Sequence, residues 1–260
     1  MSEAAETSTM RPNAAANQQV ILVVDGRPVR QFYTSIFLQR SKYQVIMAKT
    51  ADDARLYLSM TVPRAVISDL DLPDRGGLEL LEHMRQDHRT RNVPFIVYTS
   101  NWNPEARRAC EAAGCAAYLL HPMSLEALYA AVQKATQAKP RKFVRLDTAL
   151  DVVVGDDRPT GEPRKDLIIA ISEQGMFVST NSPLEHGSIV PFTVYLPNAP
   201  GRFFRIEGQV LYTHSGSDKR KLPGMAVKFL KMGDQERKLL KDFIKQELME
   251  GIAPEPEAEG

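Results

Sequence analysis

Asp25, Asp69, Thr99 and His121 stand at or just after the ends of four short apolar runs, VILVVD (20–25), AVISD (65–69), PFIVYT (94–99) and AAYLL (116–120). Two carboxylates and a hydroxyl are hard oxygen ligands of the kind a divalent cation takes. The imidazole beside them is mostly neutral at pH 7. A second set lies later in the chain. Arg141 and Arg145 are four residues apart, and Ser172 and Gly175 follow in the sequence SEQG. Arginine's planar fork donates bidentate bonds to phosphate oxygens or to guanine, and it also stacks on a base. By itself such an arginine pair more often marks a solvated basic face.

The elements that must position these residues follow from periodicity. From residue 20 to about 137, short apolar runs alternate with amphipathic helical stretches, five times over. Strands alternating with helices imply a parallel sheet covered on both faces, whose chemistry lies outside the carboxyl ends of the strands. After Lys139-Pro140 the period changes to two. TALDVVV, DLIIAI, MFVST, SIVPFTVYL, FRIEGQVLY and GMAVKFL read as strands of a compact antiparallel barrel or sandwich. A C-terminal helix closes it, with Leu239, Leu240, Phe243, Ile244 and Leu248 as its apolar stripe.

Composition bounds the rest. At 260 residues, 43% apolar and 25% charged, the chain is globular, and its length favours two domains over one. Thirty-three basic against 32 acidic residues leave a net charge of +1, which argues against a protein that coats nucleic acid. Lys219-Arg220-Lys221 is read as a solvated hairpin tip. Cys110 and Cys115 supply neither a disulfide framework nor a metal cluster. No apolar run reaches the length of a signal peptide or a spanning helix, so a cytoplasmic protein without membrane insertion is expected. The expected divisions are a disordered tail at 1–18, an α/β domain at 19–138, an all-β domain at 139–250 and an acidic disordered tail at 251–260.

With VVDG after the first strand, SDLDLPDRGG after the third, YTS after the fourth and LLHP after the fifth, residues 20–137 resemble a response-regulator receiver domain. The resemblance implies a flavodoxin-like (βα)5 fold with Asp69 as phospho-acceptor and Asp25, Thr99 and His121 around it. It also exposes two departures. Gly26 stands where the family has a second acidic residue, and His121-Pro122 where it has Lys-Pro. An aspartyl phosphate needs Mg²⁺, a cation and a hydroxyl as charge develops. The pocket is therefore short of one carboxylate and of its cation, Mg²⁺ is not expected, and only Asp25 and Asp69 could hold a metal if one is retained. The expectation is a pseudo-receiver that docks protein partners. Tyr118 falls at the family's aromatic switch position, and Trp102 lies in the loop beside its usual output face.

Residues 140–248 resemble the PilZ family of small β-barrels, on Arg141-x-x-x-Arg145, the Ser172-Glu173-Gln174-Gly175 turn and the strand order. The resemblance implies cyclic di-GMP as ligand, bound through Arg141, Arg145, Ser172 and Gly175. Ala170 departs from it, standing where the family has Asp or Asn. Because Arg141 follows the last receiver helix so closely, ligand closure is expected to act on the joint between the halves. Three readings result: a non-enzymatic signalling adaptor that couples cyclic di-GMP to a docking domain, a ligand-independent scaffold, and a phosphorylatable response regulator. No cofactor is required by the first. No helix-turn-helix and no catalytic constellation outside the receiver pocket is apparent.

Overall fold

Strands β1 (Val20–Val24), β2 (Gln44–Ala48), β3 (Ala65–Ser68), β4 (Phe95–Thr99) and β5 (Ala117–Leu120) alternate along the chain with five helices. These are α1 (Pro28–Arg40), α2 (Ala51–Met60), α3 (Gly77–Gln86), α4 (Pro104–Ala112) and α5 (Leu125–Thr136). The computed structural model describes residues 20–122, 124–155, 165–197, 203–215 and 222–249. The tails at 1–18 and 251–260 and the Lys219-Arg220-Lys221 run lie outside them. The fold divides into two compact units between Pro140 and Arg141.

The first five strands form a parallel sheet in the order β2-β1-β3-β4-β5. Every residue of β1, β3 and β4 is buried, as strands with helices on both faces must be, whereas edge strand β2 exposes Gln44 and Met47. Leu80, Leu81 and Met84 of α3 pack with Leu58 of α2 against Val24 and Val66. The chain leaves β1 for β2 on one side and reaches β3 on the other. The crevice outside the ends of β1 and β3 is thus the switch point where such sheets bind ligands. Asp25 and Asp69 are the next residues beyond those two ends.

The second unit is a closed antiparallel barrel of β6 (Leu146–Val154), β7 (Lys165–Ser172), β8 (Gly175–Ser179), β9 (Ile189–Tyr195), β10 (Phe203–His214) and β11 (Gly224–Lys231). Closure runs through β10 and β9, where Ile206 pairs with Phe192, and through β9 and β6, where Val194 pairs with Val152. In β10 the alternation is plain: Phe204, Ile206 and Val210 are buried while Phe203, Arg205 and Leu211 face out. Helix α6 (Asp234–Met249) buries Leu240, Phe243, Ile244 and Leu248, with Leu239 half-buried beside them.

One residue ties the α/β scaffold to its crevice. Gly77 opens α3, and a Cβ there would lie 2.1 Å from the Asp69 carbonyl oxygen. Only a glycine lets the helix start that close to the strand end carrying Asp69. Gly77→Ala must push α3 or the Asp69 backbone aside, and overpacking of this kind costs about 1–3 kcal/mol. Urea unfolding of the variant should show a loss in that range.

Candidate functional site

The crevice at the ends of β1 and β3 holds Asp25 and Asp69, both buried, with Thr99 buried at the end of neighbouring β4. The sequence reading left this crevice without a cation. The structure corrects it: α1 delivers the Arg30 guanidinium between the two carboxylates. Arg30 Nε donates to Asp25 Oδ2, and Nη2 donates to Asp25 Oδ1 at 2.9 Å and to Asp69 Oδ2. Nη1 donates to Ser100 Oγ at 2.7 Å, just past β4, and Arg27 Nη1 donates to the same oxygen at 2.8 Å. Arg30 is only 3% exposed, so this charge is inside the fold. Burial works to lower its pKa, but the hydrogen bonds and charges of Asp25 and Asp69 outweigh it and hold the guanidinium above its ordinary value.

Backbone amides engage the one remaining carboxylate oxygen and add a second bond to another. Asp69 Oδ1 accepts the Leu70 amide at 2.7 Å, and Asp25 Oδ1 accepts the Arg27 amide at 2.8 Å. At Gly26, a Cβ would stand 2.8 Å from the Pro73 ring. A third carboxylate therefore has no room where the receiver pattern has one. With a guanidinium between the two acids and a proline beside Gly26, this arrangement does not fit a divalent cation. Asp71 is exposed, and the His121 ring lies against Tyr98 with centroids 5.4 Å apart.

A signal for Arg30 was present in the sequence. The first turn of α1 carries no acidic residue and begins with arginines at 27 and 30, the wrong sign for the positive end of a helix dipole. A cation placed there against the dipole needs a compensating anion, and Asp25 is five residues upstream. Gln31, also on the buried face, donates to the Ala48 carbonyl at 2.6 Å. This helix face is polar because it meets strand ends rather than strand faces.

Farther along, Trp102 is 52% exposed and sets its ring edge-on to Tyr118, centroids 6.5 Å apart. The Arg107 guanidinium lies 5.7 Å from the Trp102 centroid and 6.0 Å from that of Tyr118, while its Nε donates to Glu111 at 2.8 Å. Trp102 is thus both packed and available on one side. Burial pushes the Cys110 thiol up to about 11, as befits a core residue.

In the barrel, the four residues singled out by sequence come to one place. Arg141 and Arg145, on the segment leading into β6, line a cleft of about 340 Å³ together with Ser172 and Gly175 at the β7–β8 hairpin. Ser172 Oγ accepts the Gln174 amide at 3.4 Å and donates to the Gly175 carbonyl at 3.1 Å, which fixes the two-residue turn. A Cβ on Gly175 would sit 2.5 Å from the Val227 carbonyl, so glycine is needed where β8 runs close to β11. Ala170 also lines the cleft, and its cross-strand partner is Asp147. Sequence reading missed Lys142, Phe143, Tyr212 and Lys228, which also line the cleft. Lys142 and Phe143 lie between the two arginines before β6, whereas the outward strand positions of Tyr212 and Lys228 identify those two only once the barrel has closed.

Residues 21–133 match the family model of the response regulator receiver domain, and residues 139–246 match that of the PilZ domain. Among curated proteins, the chain is 28% identical over 173 residues to the sensory/regulatory protein RpfC of Xanthomonas campestris pv. campestris, across 66% of this chain and 21% of that one. It is 30% identical over 114 residues to response regulator Rre1 of Synechocystis sp., across 44% and 49% respectively. The chain thus spans half or less of the length of either relative. Among solved structures, chemotaxis response regulator CheY4 of Vibrio cholerae aligns with a TM-score of 0.43 at 24% identity, covering 45% of this chain and 98% of that one.

Asp74 holds the loop that carries Pro73. Its carboxylate accepts the Ala51 and Asp52 amides at the start of α2, both at 2.9 Å. Slight burial works to raise its pKa, but the amide donors outweigh this and hold it at about 2, against an ordinary 3.8. A folded pKa below the unfolded one contributes stability above 3.8 that is lost as pH falls towards about 2. The urea midpoint of wild type should therefore exceed that of Asp74→Asn at neutral pH, and the gap should close across that acid window.

Proposed function

From a response regulator receiver domain joined to a PilZ domain, we propose a non-enzymatic, cytoplasmic bacterial signalling adaptor. Its barrel takes cyclic di-GMP in the Arg141–Arg145 cleft, and its receiver half docks a protein partner. The observation that carries this reading is the convergence of Arg141, Arg145, Ser172 and Gly175 on one cleft of about 340 Å³. That volume lies in the range of small-molecule sites. Two arginines supply forks for phosphate or guanine, and the exposed Tyr212 ring and half-buried Phe143 at the same cleft supply stacking surface.

Residues 137–140 separate the end of α5 from Arg141. A ligand that orders Arg141 therefore acts on the joint itself, which is how the nucleotide would reach the docking half. The exposed face of Trp102, with Arg107 and Tyr118 behind it, is the anchor we assign to the partner. Motility or polarity is the process proposed, on the family resemblance alone. A ligand-independent scaffold is the second reading, and Ala170 is the residue that favours it, because one polar contact to the nucleotide is lacking there. The phosphorylatable reading is disfavoured by the Arg30 guanidinium on Asp69.

Titration calorimetry with cyclic di-GMP separates the first two readings. Wild type should bind, and Arg141→Ala and Arg145→Ala should each lose binding. Absence of heat from wild type would leave the scaffold. Ala170→Asp restores a hydrogen-bonding side chain whose absence costs about 1–3 kcal/mol. It should tighten the nucleotide by roughly ten- to a hundredfold in the same titration.

A further inference from the structure

We propose that Arg30 is a built-in cation that has replaced the metal and the phosphoryl group of a switching receiver, holding the strand ends in one fixed arrangement. The inference rests on reading the receiver half as a docking module, and it is independent of nucleotide binding in the barrel. A phosphorylatable receiver links the end of β1, through its metal, to the phosphoryl group on the end of β3 and to the hydroxyl at the end of β4. Here a single guanidinium reaches the ends of the same three strands, meeting β4 at Ser100, the residue after Thr99. Two nitrogens bind Asp25 after β1, one of these also binds Asp69 after β3, and the third binds Ser100 after β4.

Three observations make the arrangement permanent. All three side chains are buried, with Asp69 1%, Arg30 3% and Asp25 4% exposed, so little solvent reaches them. The acceptor Asp69 has both oxygens engaged, Oδ2 by Arg30 and Oδ1 by the Leu70 amide. Hydrogen bonds to both oxygens, one of them from a guanidinium, make this carboxylate a weaker nucleophile toward a phosphodonor. Third, Pro73 fills the space at Gly26 where a further carboxylate would be needed to win a cation back. The guanidinium that holds the two carboxylates is carried by α1 and also ties Ser100. Ser100 lies two residues before Trp102, and the docking loop is thereby pre-set.

The test uses the full chain, with thermal midpoint, emission of Trp102 (the sole tryptophan) and intact mass as readouts. Wild type should show no change in any of them with millimolar Mg²⁺ and acetyl phosphate, or with Mg²⁺ and beryllofluoride. Arg30→Met leaves two buried carboxylates without a counter-charge. Its midpoint should fall by roughly 10 °C, and Mg²⁺ alone should recover part of the loss. Ser100→Ala keeps the ion triad and should alter Trp102 emission while the midpoint stays within about 2 °C. If Arg30→Met does not fold, which is itself the expected direction, Arg30→Lys decides. Lysine keeps the charge but has no fork, so a midpoint and emission equal to wild type would overturn the proposal. A saturable response of wild type to beryllofluoride, or phosphate on Asp69, would overturn it together with the docking reading. An Arg30→Met midpoint equal to wild type would overturn the role of Arg30 alone.

Discussion

Two carboxylates buried side by side at the ends of adjacent strands cannot both stay ionised in a protein interior without a cation between them. Asp25 and Asp69 are such a pair, and the Arg30 guanidinium is that cation. Removing one member of a buried ion network is costly, about 3–5 kcal/mol, because the others are left uncompensated. The seat of α1 therefore follows from the charges at the ends of β1 and β3. The inner face of this helix is polar at Arg30, Gln31, Thr34 and Ser35, and Arg30 is the residue there that meets the two acids. The loop after β4 follows as well, since Ser100 receives the remaining guanidinium nitrogen.

The two halves of the chain use arginine in opposite ways. Arg30 points inward and gives four hydrogen bonds to side chains of its own unit. Arg141 and Arg145 stand exposed on a segment outside the barrel ladder, at the rim of a cleft. A guanidinium committed to buried carboxylates rigidifies, whereas one at a cleft mouth can meet an incoming phosphate. The same side chain thus ties buried carboxylates in one unit and lines an open cleft in the other. The barrel's turn is braced from behind, where Lys241 of α6 sits 3.2 Å from Glu173.

Much of this was legible in residue order. Continuous apolar runs such as VILVV and FIVYT belong only to strands covered on both faces, and the period-two pattern after Pro140 belongs to strands with one face inside a barrel. Arg141, Arg145, Ser172 and Gly175 were legible because they fall in short local patterns. Arg30 was legible only in part: the acid-free first turn of α1 marks a cation out of place, but a cation on an amphipathic helix otherwise reads as a solvated charge. Its partner Asp69 is 39 residues away, and no local rule connects them. Tyr212 and Lys228 were missed for a like reason: they face the cleft only because β10 and β11 pair across the closed barrel.

The sequence by itself determined the two architectures, the strand ends where Asp25, Asp69 and Thr99 stand, and the loss of the usual second acid at Gly26. Those features are carried by periodicity and by neighbours along the chain. Only the tertiary structure decided that the pocket has a cation after all, and that Pro73 closes the space beside Gly26. It also decided that four residues from two separated segments share one cleft. These are outcomes of distance in space between residues far apart in sequence. Charge compensation in a low-dielectric interior acts on that spatial distance, whatever the number of residues between the partners.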